Sequence, residues 1–169
     1  MGKFYFENEW NAILEEQRET LEYTAFNKEV ALELGLMIIE IAKNKYHDSV
    51  AIRIIEDEGV IFSYKMEGTS GENDWWMDRK LAVSRVSKIS SLETYVKSEL
   101  KLLEPFWTTR EANFATCGGC VPIFLKGGKS SAYHVLVSGL PHEKDHQLII
   151  DAICKQLGKE VKSLFKLEL

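Results

Sequence analysis

The chain has 169 residues, 45% hydrophobic and 28% charged, which fits one globular domain with a core large enough to fold alone. Its formal charge of -5 argues against a general nucleic-acid-binding protein, a class that gathers a basic excess on one face. No run approaches the roughly 18 apolar residues of a membrane span, and a signal-peptide core is missing, so we expect no membrane insertion. Three cysteines in such a chain are typical of reduced thiols, which predicts a cytoplasmic protein.

The first part of the chain predicts two helices. Apolar residues at three- and four-residue steps indicate an amphipathic helix over residues 8–21 that lies on the surface. Asn27 is a good N-cap for a second helix over residues 28–45. This helix is expected to be largely buried, with Leu32 and Leu36 on its apolar face.

The rest of the chain predicts two hairpins, each followed by helix. Asp74 is the expected cap of a third helix, Pro105 should end a fourth, and Gly158 should end the last. The predicted elements are strands over 49–55 and 60–66, a helix that contains Trp75 and Val86, a helix over 91–103, strands over 121–125 and 132–137, and a helix over 143–157. This order predicts an α+β layer fold in which helices cover an antiparallel sheet.

The stretch from Val137 to His146 is the first candidate for a site. It leaves an apolar strand, turns at Gly139-Leu140-Pro141 and begins a helix that carries charged residues and two histidines. The first N–H groups of a helix have no partner within it, and the macrodipole is positive there, so polar groups at such a junction are well placed for binding. The sequence therefore predicts a ligand site near residues 137–146.

Several short motifs occur along the chain in a characteristic order and spacing. They are Phe26-Asn27, Ala31 to Gly35, Asn73-Asp74 with Trp76 and Arg79-Lys80, Ser90-Ser91, Gly118-Gly119 with Pro122-Ile123, and Val137 to Pro141 with Asp145-His146. Together they resemble the haem-degrading-domain family, which includes GlcG-like and HbpS-like proteins and the C-terminal domain of PduO. The resemblance covers residues 22–155, and we expect the helix over residues 8–21 to pack on that region in a single domain of residues 1–169.

The resemblance implies a profilin-like fold, with helices on both faces of a five-stranded antiparallel sheet, and a homo-oligomer. It also implies a small-molecule ligand, haem or a corrinoid, because characterised relatives bind or break down haem or bind corrinoid. The chain departs from the family where Cys117 and Cys120 replace the usual His and Ser, and where Ala82 replaces the usual Asn. Any role of the family's side chains at those three positions is therefore in doubt.

The Cys117-Gly118-Gly119-Cys120 segment has two functional interpretations and a structural one. A CxxC pair can exchange a disulfide, but here a strand follows, so the helix dipole that lowers a thiol pKa is missing. With His142 and His146 the pair could surround zinc, although a whole hairpin separates the two halves. We expect two small buried residues beside a tight Gly-Gly bend, and no metal site.

The expected ligand-binding residues lie on two helices and the Gly-Gly bend. His146 is either a half-buried histidine bonded to backbone or an axial ligand or general base. Asp145 is expected to point away from His146, and His142 to be a solvent-exposed residue of the first helical turn. Arginine beside an aromatic ring suits a ligand carboxylate, and the resemblance supports that role. The set is Trp76, Arg79, Lys80, Gly118, Gly119 and His146.

Three functions from different classes follow from these residues. The favoured one is an oligomeric protein that binds a small ligand, haem or another tetrapyrrole. The second is a non-catalytic interaction or assembly protein without a ligand pocket. The third is an enzyme that acts by redox or acid–base chemistry through Cys117, Cys120 or His146.

Overall fold

The computed structural model describes residues 3–104 and 112–165, with side chains from Glu9 onward. The helices are α1 (Lys3–Thr20), α2 (Lys28–Ile41), α3 (Gly71–Ser87), α4 (Ser91–Glu99) and α5 (His142–Leu157). The strands are β1 (Glu22–Tyr23), β2 (Ala51–Glu56), β3 (Gly59–Lys65), β4 (Cys120–Leu125) and β5 (Lys129–Ser138). None of the helices in these ranges is long and apolar enough to cross a membrane.

The strands form one sheet in the order β1-β4-β5-β2-β3, and its four longer strands pair antiparallel, as predicted. The expectation of a wholly antiparallel sheet is wrong in one detail, because β1 runs parallel to β4. This contact places only Glu22 and Tyr23 beside β4. Two residues are too few to show a period of two, so the sequence pattern contains no signal for this strand.

Helices cover both faces of the sheet, as expected for the profilin-like arrangement. Alternation along β5 sends Val135 and Val137 to one face, where they pack in the main core with residues of α2 and α5. Leu136 points to the opposite face and packs with Met77 and Leu81 of α3. The sheet is therefore the middle layer, and the end of β5 lies between α3 and α5.

Helix α1 does not simply lie on the surface. Its residues Ile13 and Leu14 are buried in a cluster with Leu92 of α4. Arg18 forms a bidentate ion pair with the buried Glu93, at 2.9 and 3.1 Å. These contacts fix α1 against α4 and above the first half of α5, a placement that matters for the site.

Helix α2 is capped by Asn27, whose side chain accepts the N–H of Val30 at 2.9 Å, as predicted. The predicted buried face is wrong, because Leu32 and Leu36 are 46% and 54% exposed. Nearly every side of this helix carries apolar residues, so the periodicity does not select one face. The residues that do face the sheet are Ala31, Leu34, Gly35 and Ile38.

Two helix ends also differ from the predictions. Helix α3 begins four residues earlier than expected, because Ser70, and not Asp74, caps it and Asn73 completes a capping box. Asp74 instead pairs with Arg53 and Lys65. Helix α4 ends at Glu99, and Pro105, the predicted terminator, lies outside the described residues. Both hairpins and the end of α5 at Gly158, in the left-handed conformation, agree with the predictions.

Candidate functional site

An open cleft of about 570 Å³ lies at the amino end of α5, bounded by the start of α3 and the end of β5. We call it the α5 cleft. Among the residues that line it are Asn73, Trp76, Lys80, Cys117, His142 and Asp145. Three of the six predicted ligand-binding positions, Lys80, Gly118 and Gly119, come together at its inner wall, as the contacts below show.

The inner wall is held by a buried ion pair between α3 and α5. The ammonium group of Lys80 lies 3.1 Å from Asp145 Oδ2 and donates to the carbonyl of Val137 at 3.0 Å. Both charged side chains are only 3% exposed. Lys80 is therefore committed to protein groups, so it positions the wall of the cleft and does not extend into it.

Asp145 connects this ion pair to the turn between β5 and α5. Its Oδ1 accepts the N–H of Leu140 at 2.9 Å, and it makes no hydrogen bond to His146, as expected. Burial raises the pKa of this carboxyl to about 6, although Lys80 and the backbone N–H groups of the turn act in the opposite direction. The carboxylate thus fixes the Gly139-Leu140 turn.

The Gly118-Gly119 bend crosses directly over this ion pair. Gly119 has a φ of 126°, and a Cβ there would lie 2.6 Å from Lys80 Nζ and would also overlap the carbonyl of Val137. A Cβ on Gly118 would overlap the carbonyl of His142. Only glycine lets the backbone approach this closely, which explains both residues without a phosphate-binding role.

His142 is half-buried at the cleft, which contradicts the prediction of a solvent-exposed residue. Its Nδ1 accepts the N–H of Gly118 at 2.9 Å, so the neutral ring carries its proton on Nε2, which lies 3.3 Å from a carboxylate oxygen of Glu143. Burial lowers the pKa of this imidazole, and its ring meets that of Tyr95 edge-on at 5.2 Å. The Gly118 contact joins residues 24 apart, so no local spacing could have indicated it.

His146 does not reach the α5 cleft. It is 2% exposed, and its Nε2 lies 2.9 Å from the side-chain oxygen of Gln17 on α1. It borders a separate small pocket of about 20 Å³, room for one water molecule. Nδ1 is buried and has no hydrogen-bond partner among the described residues, and burial lowers the pKa of the ring to about 3. A helix α1 that lay only on the surface, as predicted, would leave this side of α5 open, whereas α1 covers it.

Trp76 and Arg79 have different positions relative to the cleft. Trp76 lines it, whereas Arg79 is not among its lining residues. The Arg79 guanidinium lies 4.2 Å from the centre of the Trp75 ring and 5.0 Å from that of Trp76, and it donates to the carbonyl of Phe114 at 3.1 Å. Arg79 therefore ties the loop before the Gly-Gly bend to α3.

Cys117 and Cys120 are both free thiols. Cys120 is buried with Met77 and Leu81, and burial raises its pKa to about 12. Burial also raises the pKa of Cys117, which lines the cleft. Thiols that stay protonated are poor nucleophiles, so both pKa shifts support the structural interpretation.

The zinc interpretation lacks the required geometry, because Cys120 faces α3 whereas His146 faces Gln17. Within residues 3–104 and 112–165, no three or more His, Cys, Asp or Glu side chains are grouped so as to hold a metal ion.

Replacing Gly119 with Ala should lower the free energy of unfolding by about 3 kcal/mol, because the new methyl group combines an unfavourable φ with overlap at Val137 and Lys80. Gly127→Ala is the matched control, since Gly127 also has a positive φ, 87°, but open space around it. Gly127→Ala should lower the free energy of unfolding by only about 1 kcal/mol. Urea unfolding measures both, and equal losses would show that the close approach at Gly119 is unimportant.

His146 should make the fold acid-sensitive. Its pKa in the folded state, about 3, lies below the ordinary 6.5, so the unfolded chain binds more protons between these values and stability is lost as the pH falls below about 6.5. His146→Gln keeps a donor for Gln17 and removes the titration. Between pH 6.5 and 4.5 the unfolding free energy of the variant should fall less steeply than that of the wild type. The two slopes should differ by up to about 1.4 kcal/mol per pH unit. Identical slopes in urea titrations would contradict this assignment.

Comparisons with known proteins agree with the resemblance found in the sequence. The family described as "Haem degrading protein HbpS-like" matches residues 26–154. A UPF0303 protein of Rhizobium rhizogenes is 34% identical over 153 residues, which cover 88% of this chain and 91% of that protein.

Two solved structures share the fold. The crystal structure of Ybr137w protein has a TM-score of 0.72 at 22% identity, and the match covers 90% of this chain and 87% of that chain. The crystal structure of a PduOC:heme complex has a TM-score of 0.61 at 15% identity, and the match covers 82% of this chain and 98% of that chain. Because the family match extends over most of the chain, from just before α2 into the last turn of α5, the protein belongs to the HbpS-like haem-degrading family.

Proposed function

We propose that the protein binds a tetrapyrrole, haem in the first instance and a corrinoid as the alternative, in the α5 cleft. The observation that carries this proposal is an open cleft of about 570 Å³ with the ring of Trp76 in its wall. Cavities of roughly 300–1,000 Å³ with aromatic lining are typical ligand sites. Membership of a haem-degrading family and the fold shared with a protein crystallised with haem support the same ligand class.

The residues that would hold such a ligand differ from the predicted set. Trp76 offers an aromatic face, and the first N–H groups of α5 offer a positive end for a ligand carboxylate. Lys80, Gly118 and Gly119 shape the wall from behind. Haem, when bound, supplies a redox-active iron, and the chain's own part is to enclose and orient the planar ring.

The enzymatic alternatives receive less support from the same residues. Redox catalysis through the cysteines needs a thiolate, whereas burial raises both pKa values. Acid–base catalysis through His146 needs a ring that can reach a substrate, whereas His146 is 2% exposed and faces Gln17. A pure assembly role would leave the α5 cleft without a ligand, an outcome that the titration below would reveal.

Haem titration of the wild type should give a saturable Soret shift, and Trp76→Ala should weaken the affinity about tenfold, since an aromatic contact of this kind is worth on the order of 1 kcal/mol or more. Trp75→Ala is the matched control, because Trp75 also stacks on Arg79 but lies outside the cleft and is 49% exposed. The haem affinity of Trp75→Ala should stay within about twofold of the wild-type affinity, a change of only about 0.4 kcal/mol. Linear, unsaturable binding, or equal losses in the two variants, would rule out this site.

The protein is also proposed to be a homo-oligomer in the cytoplasm. Large apolar side chains remain exposed on several sides of the described chain, including Leu36 at 54% and Val60 at 57%. Burial of such side chains between subunits is favourable. The cytoplasmic location stays a prediction, with which the three free cysteines agree.

Light scattering coupled to size exclusion should therefore give at least twice the 19.4 kDa of one chain at micromolar concentration. A mass of one chain would contradict the oligomer, and the result does not depend on whether haem binds.

A further inference from the structure

We infer that the α5 cleft recognises the macrocycle and not its metal, because none of the four histidines presents a free ring nitrogen to it. This inference rests on the proposed function and names its ligand class more closely: planar tetrapyrroles, with or without a central metal ion.

His142 is the only histidine among the described residues that line the cleft. A histidine that binds a metal through one nitrogen donates the N–H of the other, usually to a carbonyl or carboxylate. Here Nδ1 faces an N–H donor, that of Gly118, at 2.9 Å. The proton must therefore sit on Nε2, the nitrogen that iron would need, and the nearby Glu143 carboxylate, at 3.3 Å, stabilises it there.

The geometry of Gly118 prevents an easy change of this arrangement. Reversing the tautomer would place two N–H groups against each other, and the Gly118 backbone already lies so close to α5 that a Cβ would overlap the carbonyl of His142. Movement of Gly118 would also disturb Gly119, whose carbonyl accepts the N–H of Val137 at 2.9 Å. His142 is thus held as a hydrogen-bond donor.

The other three histidines are placed elsewhere. His146 donates toward Gln17, which itself donates to the carbonyl of Lys162 at 3.0 Å, and its remaining nitrogen is buried. His47 is exposed and lies at the end of the π-helical turn, Ala42–Tyr46, that follows α2. His134 lies on β5 and borders a different cleft, together with Arg85.

The non-histidine donors of the inner wall are also unsuited to iron. Asp145 accepts from Leu140 and Lys80, so each oxygen is engaged. Cys117 would have to lose its proton, and burial raises the pKa of that thiol. These two groups of the inner wall are therefore not ready to bind iron, whereas Trp76 offers the cleft an aromatic contact for a ring.

The test compares haem with metal-free protoporphyrin IX by fluorescence quenching of the full-length protein. Their affinities should agree within about threefold, which corresponds to only about 0.7 kcal/mol. His142→Asn retains an oxygen that can accept the Gly118 N–H and removes Nε2, so it should change both affinities by the same factor and leave the electron paramagnetic resonance spectrum of bound ferric haem unaltered. His146→Gln should behave in the same way, and His47→Asn, which tolerates the left-handed φ of 54°, is the exposed control.

The contrary result is that haem binds at least thirtyfold more tightly than protoporphyrin IX and that His142→Asn or His146→Gln removes this difference. It would overturn the inference and leave the proposed function standing. Binding of neither porphyrin would overturn the proposed function and the inference together.

Discussion

The buried ion pair between Lys80 and Asp145 is the interaction on which the candidate site depends. Two opposite charges that are each 3% exposed have lost most of their hydration, so removal of either one would leave an uncompensated charge in the interior. Lys80 comes from α3, Asp145 from α5, and the carbonyl of Val137 from β5. One contact therefore joins the layers on both sides of the sheet at the point where the cleft opens.

The Gly-Gly bend and the state of His142 follow from this contact. Because the backbone at Gly119 passes directly over the Lys80 ammonium group, no side chain fits there. The same path brings the N–H of Gly118 to His142 Nδ1, which determines where the imidazole carries its proton. A structural ion pair thus determines which ring nitrogen carries the proton in His142, the histidine that lines the described part of the cleft.

Local signals in the sequence predicted much of the fold, but not the contacts that build the site. The cap at Asn27 and the stop at Gly158 depend on side chains and φ values within a few residues, so they could be identified. The buried face of α2 could not, since Leu32 and Leu36 are as apolar as the residues that face the sheet. At the start of α3 the sequence predicted a cap at Asp74, whereas Ser70 caps the helix and tertiary ion pairs engage Asp74.

For the candidate site, the sequence predicted residues that the structure brings near one cleft, but it did not predict their contacts. Lys80, Gly118 and Gly119 were selected as ligand contacts, and the structure assigns them to the wall behind the cleft. His146 was selected because of its place on the inner face of α5, but whether that face is open depends on α1, which is more than a hundred residues away in the chain. Such contacts have no sequence period, so only the folded chain shows them.

The family and the local geometry together suggest a tetrapyrrole that is bound for its shape. The measurement that tests this most directly is a crystal structure of the protein grown with haem. The account predicts the macrocycle in the α5 cleft against Trp76, with Gly118 still donating to His142 and His146 still bonded to Gln17. Haem at another surface, or iron bonded to His142 or His146, would contradict it.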